Sequence, residues 1–263
     1  MGKYFGTDGV RGRANEGLTL DMSIKIGQYL GWYYGKEKHA KILIGKDTRL
    51  SGDMFELGLA AGATSMGAQV YLLGVCPTPA ISYLVRKERF DCGIMVSASH
   101  NPYYDNGIKC FNHNGEKMEE ELLLEVEKYM DGLTDLDLVT GDHIGEYFEW
   151  EDGLEIYMSW LKECVPVDLT GMKILCDLAN GSATSTAIET LDSLGATVDA
   201  INSSPNGVNI NNKCGSTHPE GLQRMMREGD YDIGFAFDGD ADRLIMVDSD
   251  GKLCDGDYIL YIC

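Results

Sequence analysis

Short apolar runs recur along this chain with helix-like stretches between them, and that alternation constrains the fold more than any other feature. Lys41–Gly45 (KILIG) reads as a buried strand, and Gln69–Leu73, Cys92–Val96, Met172–Asp177, Thr197–Ile201 and Ile233–Phe237 read as strands. Ser51–Met66, Thr78–Arg86, Ser182–Leu194 and Pro219–Glu228 read as the helices between them. Glu119–Met130 places Leu122, Leu123, Val126 and Met130 on one face and acids on the other, which is helical spacing. Strands alternating with helices predict an α/β fold with largely parallel sheets. Ile108–Phe111 is a short strand expected to pair with its neighbour, and Pro219 suits a first helical turn with Thr217 or His218 as cap.

The polar stretch Asp131–Glu146 interrupts the pattern, which restarts with a helix over Glu151–Cys164. At 263 residues the chain is long enough for two domains. The expected architecture is two consecutive α/β/α sandwich domains with mixed, mostly parallel sheets, residues 1–150 and 151–255. Toward the end, Leu244–Val247 reads as a strand, Asp248–Lys252 as a turn and Gly256–Cys263 as an opening helix. That last run is apolar and uncapped. The expectation is therefore a longer natural chain or an element docked on another chain, with the apolar end at Cys263 favouring association.

A formal charge of −20 argues against nucleic-acid binding, since phosphate backbones select basic surfaces. It also repels anionic substrates at long range, so a site for one requires local cations or a metal. The opening MGKYFGTDGVRG lacks a secretory pattern and no run is long and apolar enough for a membrane span, so a cytoplasmic location is the expectation. The eight cysteines are scattered without a CxxC pair and read as buried free thiols.

Phe237-Asp238-Gly239-Asp240-Ala241-Asp242-Arg243 sets three carboxylates at alternate positions between two apolar strands. Their mutual repulsion calls for a cation, and an all-oxygen set suits a hard one such as Mg²⁺. Alternate residues of a straight strand are too far apart to share a small ion, so Gly239 and Ala241 are expected to let the backbone curl. An EF-hand is excluded because its sixth and twelfth positions fall on Arg243 and Ser249. A solvated acidic turn is the plain alternative.

Val96-Ser97-Ala98-Ser99-His100-Asn101-Pro102 follows a strand and ends in Asn-Pro, which resists continuing as helix. Two serines and a histidine thus stand at a strand's C-terminal end, where α/β folds place ligands. Neither serine carries the flanking glycines of a GxSxG hydrolase elbow, and no P-loop occurs. The loop alone could be turn chemistry. Beside a magnesium site, a phosphoserine is the sensible reading, with a phosphate oxygen as the missing ligand. His39, His113, His143 and His218 show no ligand spacing.

SASHNP, DGDADR and the N-terminal GTDGVRG together resemble the α-D-phosphohexomutases. KYFGTDGVRG, IGKDTRLSG, PTPA, ASHNPYYDNGIK and CGSTHPEGL are most similar to the branch that acts on glucosamine phosphates. The resemblance covers the whole chain as the first two of that family's four domains, with 256–263 opening a third. It implies that Ser99 is the phosphorylated serine and that Asp238, Asp240 and Asp242 bind one Mg²⁺ with it. It implies that Lys109 takes part in proton transfer with His100 beside the serine, and that Arg11 and Arg243 are positive charges near the phosphoryl group. Arg49 is expected to hold the loop or a phosphate. To act as a base, Lys109 would need its pKa lowered by a neighbouring cation.

The activity implied is interconversion of glucosamine 6-phosphate and glucosamine 1-phosphate through glucosamine 1,6-bisphosphate. The family's sugar-reading and phosphate-binding loops lie in its third and fourth domains, so this stretch by itself is expected to turn over little substrate. Missing C-terminal domains or a homo-oligomer partner would complete the site. A sibling mutase of glucose or mannose phosphates, and a non-catalytic magnesium-binding module, remain the competing readings.

Overall fold

The computed structural model describes residues 2–36 and 38–262 and contains two sheets, each with helices on both faces. The first comprises β1 (Val10–Arg13), β2 (Lys41–Lys46), β3 (Gln69–Val75), β4 (Cys92–Val96), β5 (Asp105–Asn112) and β6 (Tyr147–Glu149). Their spatial order is β1-β5-β4-β2-β3-β6. Helices α1 (Leu20–Tyr34), α2 (Gly52–Thr64), α3 (Thr78–Lys87), α4 (Glu120–Met130) and α5 (Gly153–Cys164) surround it. The second sheet, ordered β11-β10-β9-β7-β8, contains β7 (Lys173–Asp177), β8 (Thr197–Ile201), β9 (Ile233–Phe237), β10 (Leu244–Asp248) and β11 (Leu253–Cys254). It carries α6 (Ala187–Ser193) and α7 (Glu220–Glu228), and α8 (Gly256–Ile262) follows β11.

Burial on both faces explains why the central strands β2, β4 and β7 are nearly continuous apolar runs. Along β2, Ile42 and Ile44 enter one cluster with Leu30, Phe55, Leu59 and Val126, whereas Leu43 enters another with Ile81, Leu84, Met95 and Tyr157. The period-2 alternation of a strand thus divides a single run between two cores. The second sheet repeats the scheme. Ile174 and Cys176 pack with Ile188 and Leu191 of α6, and Leu175 packs with Leu222 and Met226 of α7. Both sheets are mixed: β2, β3, β4 and β6 run parallel, as do β7, β8 and β9, while β5, β1, β10 and β11 join antiparallel.

Several elements differ from the sequence-based expectations. The apolar-run pattern does not announce β1 or α1, because α1 carries glycines where a helix usually has larger residues. Gly27 is required there by close packing: a Cβ would stand 2.2 Å from the Leu59 carbonyl oxygen of α2. The expected helix over Ser182–Leu194 is a short 3₁₀ turn at Ser182–Ser185 followed by α6. Pro219 is itself the N-cap of α7, and neither Thr217 nor His218 caps it by a side-chain hydrogen bond. The α5 helix lies over the first sheet, with Trp160 stacked on Tyr83 of α3 at 4.1 Å between ring centroids. The end at Cys263 lies outside the described residues. Among the described residues, no helix is long and apolar enough to cross a membrane, and the seven described cysteines are free thiols.

Candidate functional site

The loops that follow the C-terminal ends of β2, β4 and β9 come together where the two sheets meet. The loop after β4 is the serine loop. Ser97 Oγ donates to Asp47 Oδ2 at 2.6 Å and accepts the Ser99 backbone N–H at 2.9 Å. Ser99 is then held at a φ of +53°, a left-handed conformation uncommon for a non-glycine residue, and is fully buried. Such a conformation persists only when its surroundings over-determine it.

Arg49 supplies much of that determination. It is buried, its Nε lies 2.9 Å from Asp47 Oδ2, and its Nη2 donates to the carbonyls of Ser99 at 2.8 Å and Asn101 at 2.9 Å. Its Nη1 donates to the Asp105 carbonyl at 3.1 Å and also to that of Pro102. The guanidinium is thereby saturated by the loop and its carboxylate partner, and has no donor left for a phosphate.

The aspartate loop joins β9 to β10. Ser99 Oγ donates to Asp238 Oδ2 at 2.7 Å. Asp240 Oδ2 accepts Lys109 Nζ at 2.5 Å and Thr78 Oγ1 at 2.5 Å, while Asp242 Oδ2 lies 3.3 Å from Lys109 Nζ. One oxygen from each of Asp238, Asp240 and Asp242 can be chosen so that all lie within 4.8 Å of one another. The curl that gathers them is at Ala241, with a φ of +55°. Gly239 serves a different need, since a Cβ there would stand 2.5 Å from the Ser99 carbonyl oxygen.

Electrostatics of the cluster follow from burial and like charge. Burial, then repulsion from Asp240, pushes the Asp238 carboxyl up to about 7. Burial also opposes charge on Asp240, but Lys109 and the hydroxyl donors outweigh it and hold this carboxyl below its usual range. Burial lowers the pKa of Lys109, yet Asp240 and then Asp242 overcome that and leave it raised. The expected cation beside Lys109 is therefore replaced by two carboxylates, and the amine is held as an ammonium. His100 is kept below its usual pKa by burial, then by Arg243 and Arg11, and its Nδ1 lies 3.4 Å from Ser99 Oγ.

Arg11 on β1 and Arg243 sit at the rim, 3.7 Å from Asp8 and 3.8 Å from Asp242. The residues expected to form the site are thus brought together, apart from Arg49, which stands behind the loop. Two contributors escape sequence reasoning. Thr78, at the start of α3, donates to Asp240 through both its hydroxyl and its backbone N–H, the latter at 2.9 Å. Asn211 Nδ2 donates to the carbonyls of Ser99 at 2.8 Å and Asn101 at 3.2 Å. Thr78 lies within the PTPA segment, a usable signal, whereas nothing in the asparagine-rich run around Asn211 points to the serine loop.

The donor set suits a hard divalent cation. All candidate ligands are oxygens, and Asp240 Oδ1 is buried without a hydrogen-bond partner. A Lys109 ammonium already rests on two of the carboxylates, showing that the cluster accepts positive charge.

Comparison with known proteins agrees with this geometry. The description "Phosphoglucomutase/phosphomannomutase, alpha/beta/alpha domain I" matches residues 2–136, and that of domain II matches residues 155–251. The chain belongs to the phosphoglucomutase/phosphomannomutase family. Within it, a phosphoglucosamine mutase of Lachnoclostridium phytofermentans is 53% identical over 264 aligned residues, covering 100% of this chain and 59% of the relative. A phosphoglucosamine mutase of Clostridioides difficile is 48% identical, again with 59% of its length covered. The chain thus spans somewhat over half the length of these curated relatives. A solved family member from Burkholderia thailandensis superposes with a TM-score of 0.80 at 27% identity, over 95% of this chain and 55% of that one.

Proposed function

We propose that this chain carries the phosphoryl-transfer centre of a phosphoglucosamine mutase, with Ser99 as the residue that accepts and returns the phosphoryl group. The observation that carries the reading is the Ser99–Asp238 hydrogen bond of 2.7 Å, which joins the serine loop to the carboxylate cluster. The phosphoglucosamine mutases at 48–53% identity support glucosamine phosphates over other hexose phosphates. In this reading domain I holds the phosphoserine loop and domain II the metal loop. The sequence divides near residue 150, and α5 rides on domain I.

Asp238, Asp240 and Asp242 would hold Mg²⁺, with phosphorylated Ser99 completing the set; the ion supplies charge neutralisation at the transferring phosphoryl group. The chain's own groups account for the protons. When Ser99 is loaded from glucosamine 1,6-bisphosphate, the Oγ–P bond forms and the bond from phosphorus to the sugar oxygen breaks. The serine proton goes to the neutral ring of His100, whose Nδ1 lies 3.4 Å from Ser99 Oγ. The Lys109 ammonium is the acid that protonates the departing sugar oxygen, and in the reverse transfer the neutral amine takes that proton back. Arg11 and Arg243 add positive charge at the rim, and His100, neutral near pH 7, flanks the nucleophile.

The test is intact mass after incubation with magnesium and glucosamine 1,6-bisphosphate. One phosphoryl group should be gained, peptide mapping should place it on Ser99, and Ser99→Ala should gain none. Absence of uptake by the folded chain, or uptake that persists in Ser99→Ala, overturns the reading.

A further inference from the structure

A buried carboxylate on α4 stands outside the phosphoryl-transfer centre and yet holds the segment that leads to it. Glu127 is 6% exposed, and its Oε1 accepts the backbone N–H groups of Tyr4 and Phe5, each at 2.7 Å. Its Oε2 accepts the backbone N–H of Lys3 at 2.8 Å. One side chain thus takes three consecutive backbone donors that lie 122 to 124 residues away in sequence. Gly2 belongs to the same contact, since a Cβ there would stand 2.2 Å from Glu127 Oε1. One turn further along, at the C-cap of α4, Asp131 accepts Lys3 Nζ at 2.7 Å and Tyr4 Oη at 2.7 Å.

The far end of the same segment lies at the site. Phe5 enters the core cluster that holds Leu123 and Val126 of α4, and the Gly6 N–H then donates to the Gly9 carbonyl at 2.9 Å to close a turn. Gly9 has a φ of +94°, and a Cβ there would stand 2.2 Å from the Ile108 carbonyl oxygen and 3.0 Å from Lys109 Cα. Val10 and Arg11 pair with Ile108 and Gly107 of β5. Asp8, within the turn, lies 3.7 Å from Arg11 and lines a cavity of about 160 Å³ together with Lys109 and Asp242. Glycine restrains its backbone least of all residues, so a turn built on Gly6 and Gly9 takes its place from what grips it at each end. Pairing with β5 fixes one end, and α4 fixes the other.

We propose that Glu127 is a positioning residue for phosphoryl transfer, seating the Asp8–Arg11 turn against Lys109 from outside the site. A buried carboxylate satisfied by three N–H donors cannot shift without orphaning one of them, so residues 3–5 have a single seat. The clamp acts through Arg11. With residues 3–5 unseated, the turn loses one of its two anchors and the guanidinium loses its fixed distance from the transferring group. The inference rests on Ser99 accepting the phosphoryl group and on Arg11 serving that transfer.

The experiment is a double-mutant cycle on phosphoryl uptake at Ser99 from glucosamine 1,6-bisphosphate with magnesium. Glu127→Ala should lower the uptake efficiency, limiting rate over half-saturation, about tenfold, and in an Arg11→Ala background it should lower it no further. Simple destabilisation would cut the folded fraction by the same factor in both backgrounds, so equal losses overturn the proposal. Asp131→Asn is the milder variant, since it frees the Lys3 and Tyr4 side chains and spares the buried carboxylate. It should show a smaller loss with the same dependence on Arg11. Glu125→Gln on the same helix, half-exposed and paired with Lys128, should change nothing. A loss in Glu125→Gln as large as that in Glu127→Ala, or full efficiency in both Glu127→Ala and Asp131→Asn, also overturns the proposal. Absence of uptake by the unsubstituted chain refutes the role of Ser99 instead, so the two readings fail separately.

Discussion

Asn211 and Arg49 donate to the same two carbonyls, those of Ser99 and Asn101. Arg49 belongs to the first sheet's loops and Asn211 to the second's, so the conformation of Ser99 depends on both halves being seated. Asn211→Ala should slow phosphoryl uptake at Ser99 by about tenfold while leaving bisphosphate affinity nearly unchanged, because orientation rather than binding is lost. Rapid-quench kinetics over a range of bisphosphate concentrations separate the two quantities. A pure rise in half-saturation would refute the positioning role.

Arg49→Ala should destabilise the fold by about 3–5 kcal/mol, since it leaves the buried Asp47 carboxylate without its partner. Arg49→Lys should recover only part of this, because an ammonium cannot reach four carbonyls and a carboxylate at once. Urea denaturation of the three proteins gives the comparison. A loss below about 1 kcal/mol for Arg49→Ala would show that the pair matters little.

Thr78→Val should lower magnesium affinity about 10–100-fold, because Thr78 orients Asp240 without being one of the carboxylates that would bind the ion. Titration calorimetry reads this directly. Unchanged affinity would mean that Asp240 needs no such support.

The Asp238 carboxyl, pushed up to about 7 chiefly by burial, also predicts a pH dependence. A carboxyl with a raised folded-state pKa favours folding while protonated. The metal-free protein should therefore lose stability as pH climbs from the ordinary carboxylate range through about 7. Magnesium binds the ionised form and should raise the thermal midpoint more at about pH 8 than at about pH 5.5. An equal gain at both pH values would contradict the assignment of Asp238 to the metal set.

Much of the fold can be read directly from the chain. Cys92–Val96 emerges with its observed limits because a strand covered on both faces is apolar throughout, whereas Ile233–Phe237 and the edge strand Thr197–Ile201 emerge although they are only partly buried, the latter exposing Thr197 and Asp199. The α1 helix does not emerge, since its glycines answer to the neighbouring helix rather than to helix propensity. β6 and β11 are too short to carry a period and exist only through their edge partners. The serine loop and the three aspartates were legible because local chemistry, repeated acids and an Asn-Pro stop, marks them. Local chain chemistry fixes which side chains carry charge and where the backbone can turn. Long-range packing alone sets that Asp240 and Asp242 hold Lys109 as an ammonium, that Arg49 spends its donors on the loop and on Asp47, and that Asn211 reaches Ser99. These are contacts between residues about a hundred positions apart or more, or between loops with no shared periodicity, and no local pattern encodes which distant partner burial will place within hydrogen-bond reach.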